Sequence, residues 1–248
     1  MTRLLFTIYA PALQPNDGRS LSVVRALESA FPGLRMEWEI SKEGHPIALP
    51  QRDAWLEEAA AHGKFPLLCN GDESAPVMLN GLEIPARQAP GGQPLLDIHA
   101  KLPMDAFTLE KAASMLEGMA ESARGFWGHA SQKNFGVEIS EQLRRSADAP
   151  MLSPRGLPML EMPWNIRSAV IPRYLGWLNY WSEAAARAIG FPDAARDAEL
   201  LSRSRRTPSG GWVVQLTEAP LDYDNPAHIE ALQRAYERFP AIGGRDSR

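Results

Sequence analysis

Asp222-Tyr223-Asp224, followed by His228, is the densest polar knot in the sequence. Two carboxylates and an imidazole at that spacing could transfer protons or ligate a metal. The same text also suits the start of a helix, where carboxylates meet free amides and the positive end of the dipole. A partial copy of the arrangement at Asp105 favours capping. Asp97, His99 and Lys101 alternate along the chain and so share one face of a strand. They could form a polar cluster in a cleft, but the commoner outcome is the solvated face of an outer strand. Arg124-Gly-Phe-Trp-Gly-His129 could line a pocket or anchor a partner, and reads first as a packed corner. Arg203, Arg205 and Arg206 precede Trp212 and could grip a nucleic-acid backbone. In a half of near-neutral charge they read instead as solvated strand ends or a contact for a carboxylate partner. Trp177, Tyr180 and Trp181 read as core, and any exposed member as an interface anchor.

Other chemistry is missing from the text. There is no glycine-rich phosphate loop, GxSxG elbow or HExxH motif, and the five histidines are scattered. A single cysteine, Cys69, forbids an internal disulfide and a thiolate zinc cluster. Set in the apolar run Phe65–Cys69, it reads as a small buried hydrophobe and fits a reducing compartment. The expectation is a protein that is not an enzyme and needs no cofactor or metal.

Net charge is −4, unevenly divided. Residues 1–150 carry 14 basic and 19 acidic side chains, and residues 151–248 carry 12 and 11. An acidic chain without a basic stripe is a poor nucleic-acid binder and suits a basic protein partner. An ordinary acidic cytosolic protein is the simpler account of charge alone. The candidate partner-binding residues are Glu37, Glu39, Asp97, His99, Asp222 and Asp224.

These residues need elements to position them. A hydrophobic fraction of 44% and seven Trp supply a substantial core. The apolar stretch Leu4–Ala10 sits at the short limit for a signal-peptide core, is not extended further, and reads as a first strand, and no stretch reaches membrane-span length. The expected location is cytoplasmic, with no membrane contact. Leu21–Phe31 reads as a helix. Leu34, Met36, Trp38 and Ile40 alternate with Arg35, Glu37 and Glu39, as in a half-buried strand with a charged face. A helix follows over Arg52–His62. Strands are expected at Phe65–Cys69, at Val77–Leu79 continuing past Asn80-Gly81, and at Leu95–Leu102. Asn70-Gly71 and Asn80-Gly81 are turn signals. Asp105 or Thr108 caps the longest helix, which runs to about Arg124.

Prolines 150, 154, 158 and 163 then punctuate a connection expected to lie extended over the surface. Strand Leu175–Trp181, helix Glu183–Ile189, strands Leu200–Arg206 and Trp212–Thr217 around a turn, and a last helix capped by Asp224 or Asn225 complete the chain. Leu95–Asp105 and Trp212–Asp222 echo one another: each runs as a strand, then Pro-x-Asp, then an apolar-faced helix. The expected fold is therefore α+β, with two similar halves of mainly antiparallel sheet covered by helices. Residues 1–146 form the first half, 147–163 the connection and 164–248 the second half, or the whole makes one compact domain sharing one sheet.

The most recognisable text is Leu175-Gly-Trp-Leu-Asn-Tyr-Trp-Ser182, Ile189-Gly-Phe-Pro-Asp193, Gly211-Trp-Val-Val-Gln-Leu-Thr217, Pro220-Leu-Asp222 and Tyr236-Glu-Arg-Phe-Pro-Ala-Ile-Gly-Gly-Arg245. With Leu49-Pro-Gln-Arg-Asp-Ala-Trp55 and Pro66-Leu-Leu-Cys-Asn-Gly-Asp72, it resembles a family of uncharacterised bacterial proteins over most of the chain. That family is similar in turn to the immunity protein 52 group of polymorphic-toxin systems, a likeness that leans on the second half. The resemblance implies a non-enzymatic cytoplasmic inhibitor of a cognate toxin, typically a restriction-endonuclease-like DNase. It marks no toxin-contacting residue. The alternatives are an enzyme or small-ligand binder with a site in the cleft between the halves, and an adaptor of a secretion system.

Overall fold

The computed structural model describes residues 2–132, 134–143 and 152–247. Ten strands form one sheet: β1 (Arg3–Pro11), β2 (Trp38–Ile40), β3 (Pro46–Ala48), β4 (Leu68–Cys69), β5 (Met78–Ile84), β6 (Leu95–Pro103), β7 (Trp127–Gln132), β8 (Leu178–Trp181), β9 (Ser204–Arg206) and β10 (Trp212–Gln215). Their spatial order is β3-β2-β4-β5-β6-β1-β7-β8-β10-β9. Every neighbouring pair is antiparallel. The helices are α1 (Arg19–Ala30), α2 (Arg52–Ala61), α3 (Ala106–Ser122), α4 (Phe135–Leu143), α5 (Glu183–Ile189), α6 (Ala198–Ser202) and α7 (Pro226–Arg238). The fold is α+β, and both halves feed one sheet through the β7–β8 pair, where Trp127 faces Trp181 and His129 faces Asn179.

Strand alternation sends Phe6, Ile8, Ile98 and Ala100 to one side, under α1, α2 and α3. Gly125, in the turn after α3, comes close to the sheet: a Cβ there would stand 3.0 Å from the Ile8 side chain. Tyr9, Trp127 and Trp181 point to the other side. There α4 lies over β7 and the end of α7 over β8, with Phe135 against His129 and Phe239 against Trp181. The echoed strand–helix units thus place α3 and α7 on opposite faces.

Several local expectations are corrected. Asn80-Gly81 makes no turn but lies inside β5, where the Gly81 N–H donates to the Phe65 carbonyl at 3.1 Å. A Cβ at Gly81 would meet the Phe65 ring side at 2.8 Å, so the glycine serves close approach. The expected packed corner after Arg124 contains β7, the seventh of the ten strands, next to β1 and buried on both faces. Leu200–Arg206 divides into α6 and β9. The proline-rich connection does not simply lie over the surface, since Leu157 and Leu160 are fully buried and Leu160 N–H bonds the Gln142 carbonyl. Its residues 147–151 lie outside the described residues.

Candidate functional site

Register builds one polar cluster on the side of the sheet away from α3. Tyr9 of β1 stands opposite Asp97 of β6 and Trp127 of β7. In the next row Thr7 stands between His99 and His129. Asp97 and His99 are thus on a central strand, not an outer one, and their exposures are 13% and 35%. Lys101, further along, is exposed. The His99 Nε2 lies 3.0 Å from Asp97 Oδ1. That oxygen is buried, and the angle at this contact is too poor for a hydrogen bond.

The chain before β8 closes the cluster. The Arg173 guanidinium lies 4.8 Å from the Tyr174 ring centre and 5.6 Å from that of Tyr9, and donates to the Tyr174 hydroxyl. Tyr9 stacks on Trp127 at 4.2 Å, and the Trp127 indole N–H donates to the Ala169 carbonyl. His129 lies beneath, against Phe135 at 4.6 Å, with Nδ1 3.0 Å from Ser131 Oγ. Burial first, then the charges of His99 and Arg173, lowers the His129 pKa to about 3. Burial, then the Asp97 charge, raises the Tyr9 pKa well above its ordinary value, so its hydroxyl stays protonated. Asp97 and His99 could exchange a proton, and Arg173 could hold an anion. Tyr9, Trp127, His129 and Tyr174 fill the space among themselves, each under 9% exposed. Among the described residues no group of three His, Cys, Asp or Glu is placed to hold a metal.

The other sequence candidates lie elsewhere. Glu39 faces Leu68 and Ile47 at the β3 edge, on the helix-α2 side of the sheet, with Glu37 bonded to Leu49 beside it. Asp222 and Asp224 precede α7. Asp222 accepts from the Asp224 N–H at 3.0 Å, and its own N–H donates to His228 Nδ1 at 2.9 Å, so the polar knot is a closed turn. Asp224 pairs with Arg155 at 3.0 Å. The cap of α7 is Asn225, and that of α3 is Asp105. Arg203 and Arg205 pair with Glu199 and Glu117. Trp177, Tyr180 and Trp181 are core. Cys69 is buried. Sequence reasoning missed Tyr9, Arg173 and Tyr174. They meet across more than 160 residues of chain, and no local spacing announces such a meeting.

Three comparisons bear on this chain. The model of the family DUF5953, a domain of unknown function, matches residues 15–247. No curated protein matches. Among solved structures, the Pseudomonas aeruginosa T6SS protein PA0821 superposes with a TM-score of 0.55 at 16% identity, over 96% of this chain and 73% of that one. At that identity the likeness is one of fold.

Proposed function

The chain belongs to the DUF5953 family, and from that premise we propose that it is a non-enzymatic immunity protein, which binds and neutralises a cognate toxin of nuclease type. The observation that carries the reading is a fold shared over 96% of the chain with a T6SS protein. The resemblance of its second half to the immunity protein 52 group supports the same direction. So does the packed state of the polar cluster around Asp97 and His99, which leaves Tyr9 and His129 under 6% exposed. The chemistry required is surface complementarity: a DNA-binding toxin is basic where it holds DNA, and an acidic protein can cover that cleft. None of the described helices is long and apolar enough to cross a membrane; the reading places the protein in the cytoplasm with its toxin.

The test is coexpression with the product of the adjacent gene. Rescue of growth and a stoichiometric complex are expected. Absence of both binding and protection for every neighbouring toxin removes the reading. Binding to several unrelated secretion components would favour an adaptor instead.

A second reading draws on Asp97 and His99, which the fold brings within 3.0 Å. It treats the chain as an enzyme or small-ligand binder. A thermal-shift screen of small anions and metabolites that stabilises the wild type but not Asp97→Asn would favour it. A flat screen removes it.

A further inference from the structure

The acid of this chain is concentrated at one edge of its sheet. Residues 37–83 hold nine acidic and three basic side chains, a net −6, whereas the whole chain carries −4. Everything outside that stretch is therefore net +2. The stretch builds β2, β3, β4, β5 and α2. Its outermost strand is β3, whose Pro46 has no N–H to offer a further strand. This weakens the edge as a place to add a strand and favours docking through side chains.

A place for side chains exists. Ion pairs Arg52–Glu28 and Arg25–Asp53 tie α2 to α1. Glu39 faces Ile47 across β2 and β3, and the Glu37 backbone carbonyl accepts from the Leu49 N–H at 2.8 Å, so these four residues share one side of the edge. Beside them run two adjoining hollows of about 310 and 450 Å³, with common walls at Leu49, Pro50, Gln51 and Ala54. Half-buried Trp55 and exposed Glu58 line one, and exposed Glu37 lines the other together with Arg52 and Asp53. Ile47 is 46% exposed nearby in sequence and on the same side. Among the described residues Glu37 and Glu58 make no ion pair, unlike Asp53, which is held by Arg25 and Arg52. The shared wall is apolar at Leu49, Pro50 and Ala54, the charge of Arg52 is taken up by Glu28 and Asp53, and the carboxylates without an ion pair stand beside a partly covered tryptophan.

We infer that this groove is the docking surface for a basic partner protein, which seats an apolar side chain beside Trp55 and sets lysines or arginines against Glu37 and Glu58. Charge complementarity selects the partner. The stretch is the acidic part of an otherwise slightly basic chain, and carboxylates free of internal partners keep their full field for an incoming cation. Trp55 has the character of an interface anchor, a large rigid side chain that the fold covers only in part. The inference deepens the immunity reading by naming its contact surface, and rests on that reading for the partner's identity.

Two measurements on the full chain separate the two. The first titrates the purified product of the adjacent gene against wild type, the Glu37→Lys/Glu58→Lys pair, Trp55→Phe, Trp55→Ala, and a control pair Glu218→Lys/Glu237→Lys of equal charge change. The edge pair is expected to bind at least about tenfold more weakly and to lose most of the salt dependence between about 50 and 300 mM. Trp55→Ala should weaken binding similarly, Trp55→Phe less, and the control pair by under about threefold. Equal binding by the wild type and the edge pair overturns the surface and leaves immunity standing. The second measurement maps amide shifts on adding a short peptide of alternating lysine and leucine. Shifts confined to residues 37–58 are expected. Shifts elsewhere, or none, overturn the surface even if the adjacent product fails to bind the wild type and the immunity reading falls.

Discussion

Asp105 and Asp222 occupy matching places in the two strand–helix echoes but hold different backbone atoms. Asp105 accepts the Thr108 N–H at 2.7 Å and caps α3, whereas Asp222 accepts the Asp224 N–H before Asn225 takes the cap of α7. Replacing Asp105 by Ala should cost about 1 kcal/mol in urea unfolding. Asp222→Ala should cost less than ~0.5 kcal/mol, as for an exposed site away from a cap. Equal losses would mean the echo is functional capping at both places. His129 makes a separate prediction. Its folded pKa, about 3, lies below the ordinary value of 6.5. Between those values the unfolded chain binds a proton that the folded one refuses, so stability is complete above pH 6.5 and falls as the pH drops towards 3. The slope approaches roughly 1.4 kcal/mol per pH unit. Urea midpoints from pH 7.5 to 4.5 should fall accordingly, and His129→Gln should flatten the profile.

Glu121 near the end of α3 is where separate elements are joined. Its Oε1 accepts from the Tyr180 hydroxyl at 2.8 Å, Thr207 Oγ1 at 2.8 Å and Ser209 Oγ at 2.6 Å. One carboxylate oxygen therefore ties the first half's longest helix to β8 and to the β9–β10 hairpin. Burial, then the Glu121 bond and charge, raises the Tyr180 pKa and keeps its hydroxyl a donor. Glu121→Ala leaves buried hydroxyls without an acceptor and should cost about 2 kcal/mol, read as a lowered urea midpoint, with Glu121→Gln milder. Elements differ in how plainly the sequence announces them. β6 alternates and α3 shows its stripe and cap, so both are legible. β7, Trp-Gly-His-Ala-Ser-Gln, has no alternation to read, because both its faces are covered. Its Gly128 is there because a Cβ would meet the Thr7 carbonyl at 2.8 Å, a neighbour supplied by a strand more than 100 residues earlier.

At the scale of the molecule, the β7–β8 pair makes the two halves one sheet, with large side chains from each in a single core. Unfolding is expected in one transition, with tryptophan fluorescence and far-UV circular dichroism coincident. Two separated transitions would show that the halves are independent. By itself the sequence determined the α+β class, most helices and their stops, the buried cysteine and the excess of acid in residues 1–150. These depend on neighbours a few residues apart, which periodicity and capping encode. Only the tertiary structure decided that β6 is central, that α3 and α7 cover opposite faces, and that Asp97 and His99 meet Tyr9 and Arg173. It also separated Glu37 and Glu39 from Asp222 and Asp224, which composition alone groups together. Strand order and register come from the burial of whole faces against distant segments, and a chain read residue by residue carries no local mark of which distant segment that will be.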